Sequence, residues 1–198
     1  MLHRDTDYRK MQSMSDINHI ELRLYPVFRG CGPEELDRLI RCMSRTTLEN
    51  PGDLLFEDQI ESDSAYIVQK GLLVAELPLE DGIAVEMARM GAGALVGELC
   101  LIKGGPRSLR VKAIGPAQLI RIDREAFSAL RQAKDIAAYT VIRNICLTMC
   151  DRLRTTNQFI ERELRHESME TADITSMGQT TVGQRAKAML SRLFGRQE

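Results

Sequence analysis

Two side chains in this sequence have the types and spacing to hold a sugar phosphate. Glu98 and Arg107 stand nine residues apart in the stretch Gly97-Glu98-Leu99-Cys100-Leu101-Ile102-Lys103-Gly104-Gly105-Pro106-Arg107-Ser108. An ionised carboxylate only accepts hydrogen bonds, which suits the hydroxyls of a ribose. A guanidinium presents a planar fork of donors that matches phosphate oxygens in pairs. The glycines let backbone N–H groups approach a ligand closely, and a run of such groups makes an anion-binding concavity. One arginine for a phosphate and one carboxylate for a sugar describe a nucleotide site.

Other chemistries are poorly served. No nucleophile–base pair, metal-ligand spacing or pair of carboxylates stands out, and His3, His19 and His166 lie far apart, so the chain reads as a non-enzyme without a metal or cofactor. Cys31, Cys42, Cys100, Cys146 and Cys150 have no paired spacing and read as small buried apolar residues in a reducing cytoplasm. The net charge of −1 makes no electrostatic case for nucleic acid. No apolar run of about 18 residues is present. The polar opening Met1–Lys10 has no signal-peptide core. At 198 residues, 43% hydrophobic and 28% charged, the chain has enough material for one ordinary core plus extensions.

The elements that must position the two side chains follow from period and punctuation. Residues 1 to about 18 read as a loose or weakly helical lead. Pro33 suits the first position of a helix, with Glu34 and Glu35 in its first turn and Leu36, Leu39, Ile40 and Met43 at helical spacing. From Ser44 the period becomes strand-like: Thr46–Leu48, Leu54–Phe56, Ala65–Val68, Leu72–Ala75, Val85–Met90, Leu109–Ala113 and Gln118–Ile122. Asn50-Pro51-Gly52-Asp53, Gly71 and Glu80-Asp81-Gly82 supply turns. Short strands at spacings of about eight to twelve residues argue for an antiparallel sandwich or barrel.

Asp123 and Asp135 are helix N-cap candidates. Beyond Asp135, Tyr139, Ile142, Cys146, Met149, Leu153, Thr156, Ile160 and Leu164 keep three- and four-residue spacing, and no Gly or Pro interrupts residues 135–167. Such a helix reaches roughly 45 Å, longer than a small barrel needs for itself. It either pairs with a second copy or packs on its own barrel, and its length and apolar period favour pairing. Residues 166–181 are polar and read as a linker. Ala186, Met189, Leu190, Leu193 and Phe194, with Arg185, Lys187, Arg192 and Arg196 around them, then form a short basic amphipathic helix. Docking on the protein's own surface is favoured for it over an anionic membrane surface or a partner.

The stretch Gly-Glu-Leu-x-Leu-Ile, then Gly-x-Pro-Arg-Ser and Val111-Lys112-Ala113, resembles the phosphate-binding cassette of cyclic-nucleotide-binding domains. These are the modules of catabolite-activator-type regulators, protein kinase A regulatory subunits and nucleotide-gated channels. The opening Leu24-Tyr25-Pro26-Val27-Phe28-Arg29-Gly30 also resembles the family's N-terminal helical lead. The resemblance covers about residues 20–165. It implies an α+β fold, an antiparallel, jelly-roll-like β-roll with a helical lead and a long C-terminal helix. The expected divisions are 1–19 as an extension, 20–134 as the β-roll, 135–167 as the dimerisation or lid helix, and 168–198 as linker and terminal helix.

Carried over residue by residue, the resemblance makes Glu98 the acceptor of the ribose 2′-hydroxyl, with Gly97 beside it and Leu99 offering a backbone N–H. Arg107 pairs with the cyclic phosphate, and Ser108 adds its N–H and hydroxyl. Arg152, Thr156 and Asn157 of the long helix take the places that meet the base. Val96, where the family often has an aromatic residue, and Leu109 and Arg110, where small or hydroxyl residues are common, depart from its pattern. The function implied is a cyclic-nucleotide sensor, with cyclic AMP as ligand and cyclic GMP or a cyclic dinucleotide left open. It passes the bound state through the helix to an effector protein, as a homodimer. The alternative is a DNA-binding transcription regulator, but only about thirty residues follow the long helix, mostly linker, which leaves little for reading a major groove.

Overall fold

The computed structural model describes residues 17–79 and 83–174, with side chains to Arg162 except Phe159. Two compact units divide after Cys146. The first begins with α1 (His19–Leu22), a 3-10 turn (Pro26–Phe28) and α2 (Pro33–Ile40). Pro33 is the first residue of α2, and Glu35 reaches back to accept from the Gly32 N–H at 2.6 Å, satisfying a donor the helix end leaves open.

Eight strands follow among the described residues: β1 (Met43–Leu48), β2 (Leu54–Phe56), β3 (Ser64–Lys70), β4 (Leu73–Pro78), β5 (Ala84–Met90), β6 (Leu95–Val96), β7 (Arg110–Ala113) and β8 (Ala117–Asp123). A one-turn helix, α3 (Leu99–Ile102), separates β6 from β7. The strands form two four-stranded antiparallel sheets, ordered β1-β8-β3-β6 and β2-β7-β4-β5. Strands distant in sequence alternate within each sheet, consistent with the antiparallel β-roll that the resemblance implies. α4 (Arg124–Gln132) and α5 (Ile136–Ile174) complete the described chain. The acidic turn at Glu80-Asp81-Gly82, the lead at residues 1–16 and the amphipathic segment at 182–196 lie outside the described residues.

The core sits between the sheets. Tyr66, Val68, Leu73, Ala75, Val96, Val111, Ala113, Ala117 and Leu119 form one buried cluster, and Phe56, Leu109 and Met90 pack against it. Burying each such Leu or Val stabilises the fold by about 1.5–3 kcal/mol relative to exposure. β3 and β8 are buried on their other face too, through Ala65, Ile67, Ile120 and Ile122, as expected where side chains alternate across a strand that is covered on both sides. The helical elements contribute Leu22, Phe28, Leu36, Leu39 and Phe127, each at most 2% exposed. Gly71 turns β3 into β4 at φ +95°, where a Cβ would stand 2.5 Å from the Pro116 carbonyl oxygen. Only glycine fits that approach.

Both aspartate caps form. Asp123 accepts from the Ala126 N–H at 3.0 Å and Asp135 from the Ala137 N–H at 2.9 Å. The start of α5 buries Ala137, Ala138, Val141, Asn144 and Ile145. Asn144 donates to the carbonyls of Val27 (2.9 Å) and Arg29 (2.8 Å), fastening the helix to the N-terminal 3-10 turn. These residues make the face of α5 that packs, while Tyr139 (47%) and Leu153 (62%) of the long apolar period are exposed.

Two expectations need correction. Cys146 and Cys150 are exposed, and only Cys31, Cys42 and Cys100 are buried. Spacing placed the pair on a helix but did not reveal which side the roll covers. The stretch read as a linker from residue 166 begins inside α5, which continues to Ile174. Glu167, Met169, Glu170 and Ala172 are good helix formers, and the first glycine after Ile174 is Gly178.

Candidate functional site

β6 ends at Val96, and Gly97 turns the chain with φ +71°. Glu98 then takes helical angles at the head of α3, and the Lys103 N–H closes the turn on the Leu99 carbonyl at 2.8 Å. Leu99 is about half exposed, whereas Cys100 and Leu101 are buried and anchor the turn to the roll. Burial pushes the Cys100 thiol up to about 11 despite the nearby Arg107 and Arg124, so it stays protonated. The loop then runs through Gly104, Gly105 and Pro106 to Arg107.

Arg107 is 6% exposed. Its Nη2 donates to the Ser64 carbonyl at 2.6 Å, and its Nη1 donates to the Gly97 carbonyl at 3.4 Å. The guanidinium carbon lies 4.0 Å from the centroid of the Phe56 ring, a cation–π contact that desolvation strengthens. The Gly-Glu turn and the arginine, ten residues apart in sequence, therefore meet through the Gly97 carbonyl. A Cβ on Gly97 would stand 2.3 Å from Arg107 Nη1, so this meeting depends on glycine.

The charge balance is distinctive. Taking a guanidinium out of water is costly unless an anion accompanies it. The carboxylate of Asp63, which is 73% exposed, approaches Arg107 Nη2 no closer than 3.7 Å. Asp63 is shared with Arg121, whose Nη2 is 3.2 Å away, and it also accepts from the Ser64 hydroxyl at 2.6 Å. Burial pushes the Asp63 carboxyl up, but the Ser64 hydroxyl and the Arg121 guanidinium outweigh it and hold the group below its usual range. Arg107 is thus a pre-positioned cation whose close partners are carbonyl oxygens, with Asp63 as a longer ion pair at 3.7 Å.

Among the residues expected at the site, Gly97, Glu98, Leu99, Arg107 and Ser108 gather around this loop, with Glu98 half-buried and Ser108 exposed. Arg152, Thr156 and Asn157 lie on α5 within the second unit and are all exposed. Sequence reasoning did not single out Phe56, Asp63 or Ser64. The last acts through its backbone carbonyl, which carries no residue signature, and Phe56 gave only a strand signal.

A β-roll that holds a buried arginine against a Gly-Glu turn has the donors to receive an anion such as a phosphate. Residues 50–134 match the model of the cyclic nucleotide-binding domain family. An uncharacterized NTE family protein of Mycobacterium tuberculosis is 31% identical over 122 residues, which cover 62% of this chain and 20% of that protein. The cyclic AMP receptor protein of Thermus thermophilus is 26% identical over 129 residues, 65% of this chain and 57% of its own length. The solved N-terminal domain of a transcriptional regulator from Streptomyces coelicolor superposes with a TM-score of 0.57 at 28% identity, covering 71% of this chain and 94% of that domain. The chain spans about a fifth of the length of the mycobacterial relative. No described helix is long and apolar enough to cross a membrane.

Proposed function

We propose that this chain is a cyclic-nucleotide sensor that binds cyclic AMP at the Gly97–Ser108 cassette and passes the bound state through α5 to an effector protein. The observation that carries the reading is the buried Arg107, held by two carbonyl oxygens and by no carboxylate closer than 3.7 Å. A cyclic phosphate supplies a closer negative charge than Asp63 does, and a bidentate one. Glu98, next to the glycine that touches Arg107, takes the ribose 2′-hydroxyl. The likeness to a cyclic AMP receptor protein supports cyclic AMP as the ligand. A ligand moves α5 only if it prefers one helix position over another, and the exposed Tyr139 and Leu153 offer apolar surface for such alternatives.

A substitution at the sugar end tests the assignment. A hydrogen bond to a charged acceptor contributes about 1.5–3 kcal/mol, so Glu98→Gln weakens cyclic AMP binding by about tenfold or more. The same substitution leaves the affinity for 2′-deoxy cyclic AMP nearly unchanged. Calorimetric titration of both ligands checks this, and equal losses for the two would remove Glu98 from the sugar.

A further inference from the structure

Gly105 is the most permissive point of the cassette loop. It sits between Gly104 and Pro106 and adopts φ +131°, a region that L side chains rarely enter. A glycine samples such conformations freely, so something must fix it if Arg107, two residues on, is to stand in one place. The segment between β2 and β3 does this. Glu61 Oε1 accepts from the Gly105 N–H at 3.1 Å and from Arg124 Nη1 at 3.2 Å. Ser62, only 4% exposed, donates twice to the Gly105 carbonyl, from its hydroxyl at 2.6 Å and from its N–H at 3.1 Å. Both polar groups of one glycine are therefore held by two consecutive residues. The same segment grips the arginine's own backbone. The Arg107 N–H donates to the Ile60 carbonyl at 2.8 Å, and the Gln59 N–H donates to the Arg107 carbonyl at 2.9 Å.

We propose that Glu61 and Ser62 are positioning residues for nucleotide binding: they lock Gly105 so that the Arg107 guanidinium is fixed before the ligand arrives. Pre-ordering a loop raises affinity by removing the entropy that binding would otherwise consume. This rests on the reading of the cassette as the nucleotide site. Neither residue has to touch the ligand, because both act through Gly105 on Arg107.

The test is a double-mutant cycle on the full chain, with cyclic AMP titrated calorimetrically. Ser62→Ala weakens binding about threefold to tenfold, and Ser62→Thr, which keeps the hydroxyl, recovers most of it. Glu61→Gln keeps an acceptor for the Gly105 N–H and stays near the unmodified affinity, whereas Glu61→Ala loses as much as Ser62→Ala. In an Arg107→Ala background, Ser62→Ala has no further effect on affinity, an outcome that a merely structural role would not produce. Losses that multiply independently in the two backgrounds overturn the positioning role alone. Absence of binding by the unmodified chain overturns this inference together with the reading of the cassette.

Discussion

Arg107→Ala weakens cyclic AMP binding by at least tenfold to a hundredfold. A charge-assisted bidentate contact contributes about 1.5–3 kcal/mol, which is that range of affinity. The loss is larger than a surface phosphate contact would give, because the guanidinium already lies out of water against Phe56 and does not have to be desolvated on binding. The substitution also leaves the carbonyls of Ser64 and Gly97 without this donor, so some stability is lost with the affinity. Arg107→Lys separates the two effects. It keeps a cation but not the fork that reaches both carbonyls, and its affinity falls between those of the unmodified chain and the alanine variant. Titration calorimetry alongside thermal unfolding reads both quantities, and unchanged affinity in Arg107→Ala would remove the phosphate assignment.

Gly97→Ala produces a loss of comparable size by a different route. The new methyl would stand 2.3 Å from Arg107 Nη1, and the backbone there has φ +71°. A left-handed conformation costs a non-glycine residue roughly 1–2 kcal/mol. In a chain of this size that amounts to a fall of about 2–8 °C in Tm. The far end of an arginine is flexible, so the clash is relieved by moving the guanidinium away from the Gly97 carbonyl. The fold therefore survives while the cation leaves its place, and cyclic AMP affinity falls about tenfold or more. An affinity within twofold of the unmodified chain, with the Tm lowered as stated, would show that the position of the guanidinium under Gly97 does not matter for binding.

The parts of this fold that were legible in the sequence are those set by local chemistry. Pro33, Asp123 and Asp135 mark their helix starts because a proline ring or a carboxylate satisfies the same need wherever a helix begins. Glu98 and Arg107 stand out in the sequence as a candidate pair because their functional groups suit a sugar and a phosphate, and the fold sets Gly97, beside Glu98, against Arg107. α3 was not legible, since four residues have no period to detect. Nor was the role of the 59–64 segment, which lies more than forty residues from the loop it holds and works largely through backbone groups. The exposure of Cys146 and Cys150 was equally hidden: helical spacing assigns residues to faces, but the neighbour that covers a face is a long-range fact. The continuation of α5 to Ile174 was obscured by its polarity, although its residues have good helix propensity.

Backbone hydrogen exchange of the full chain, with and without saturating cyclic AMP, tests the central claim most directly. With cyclic AMP in the proposed site, exchange slows across residues 97–108, and it changes in residues 147–174 as the helix responds. An unchanged cassette at millimolar cyclic AMP would contradict the claim.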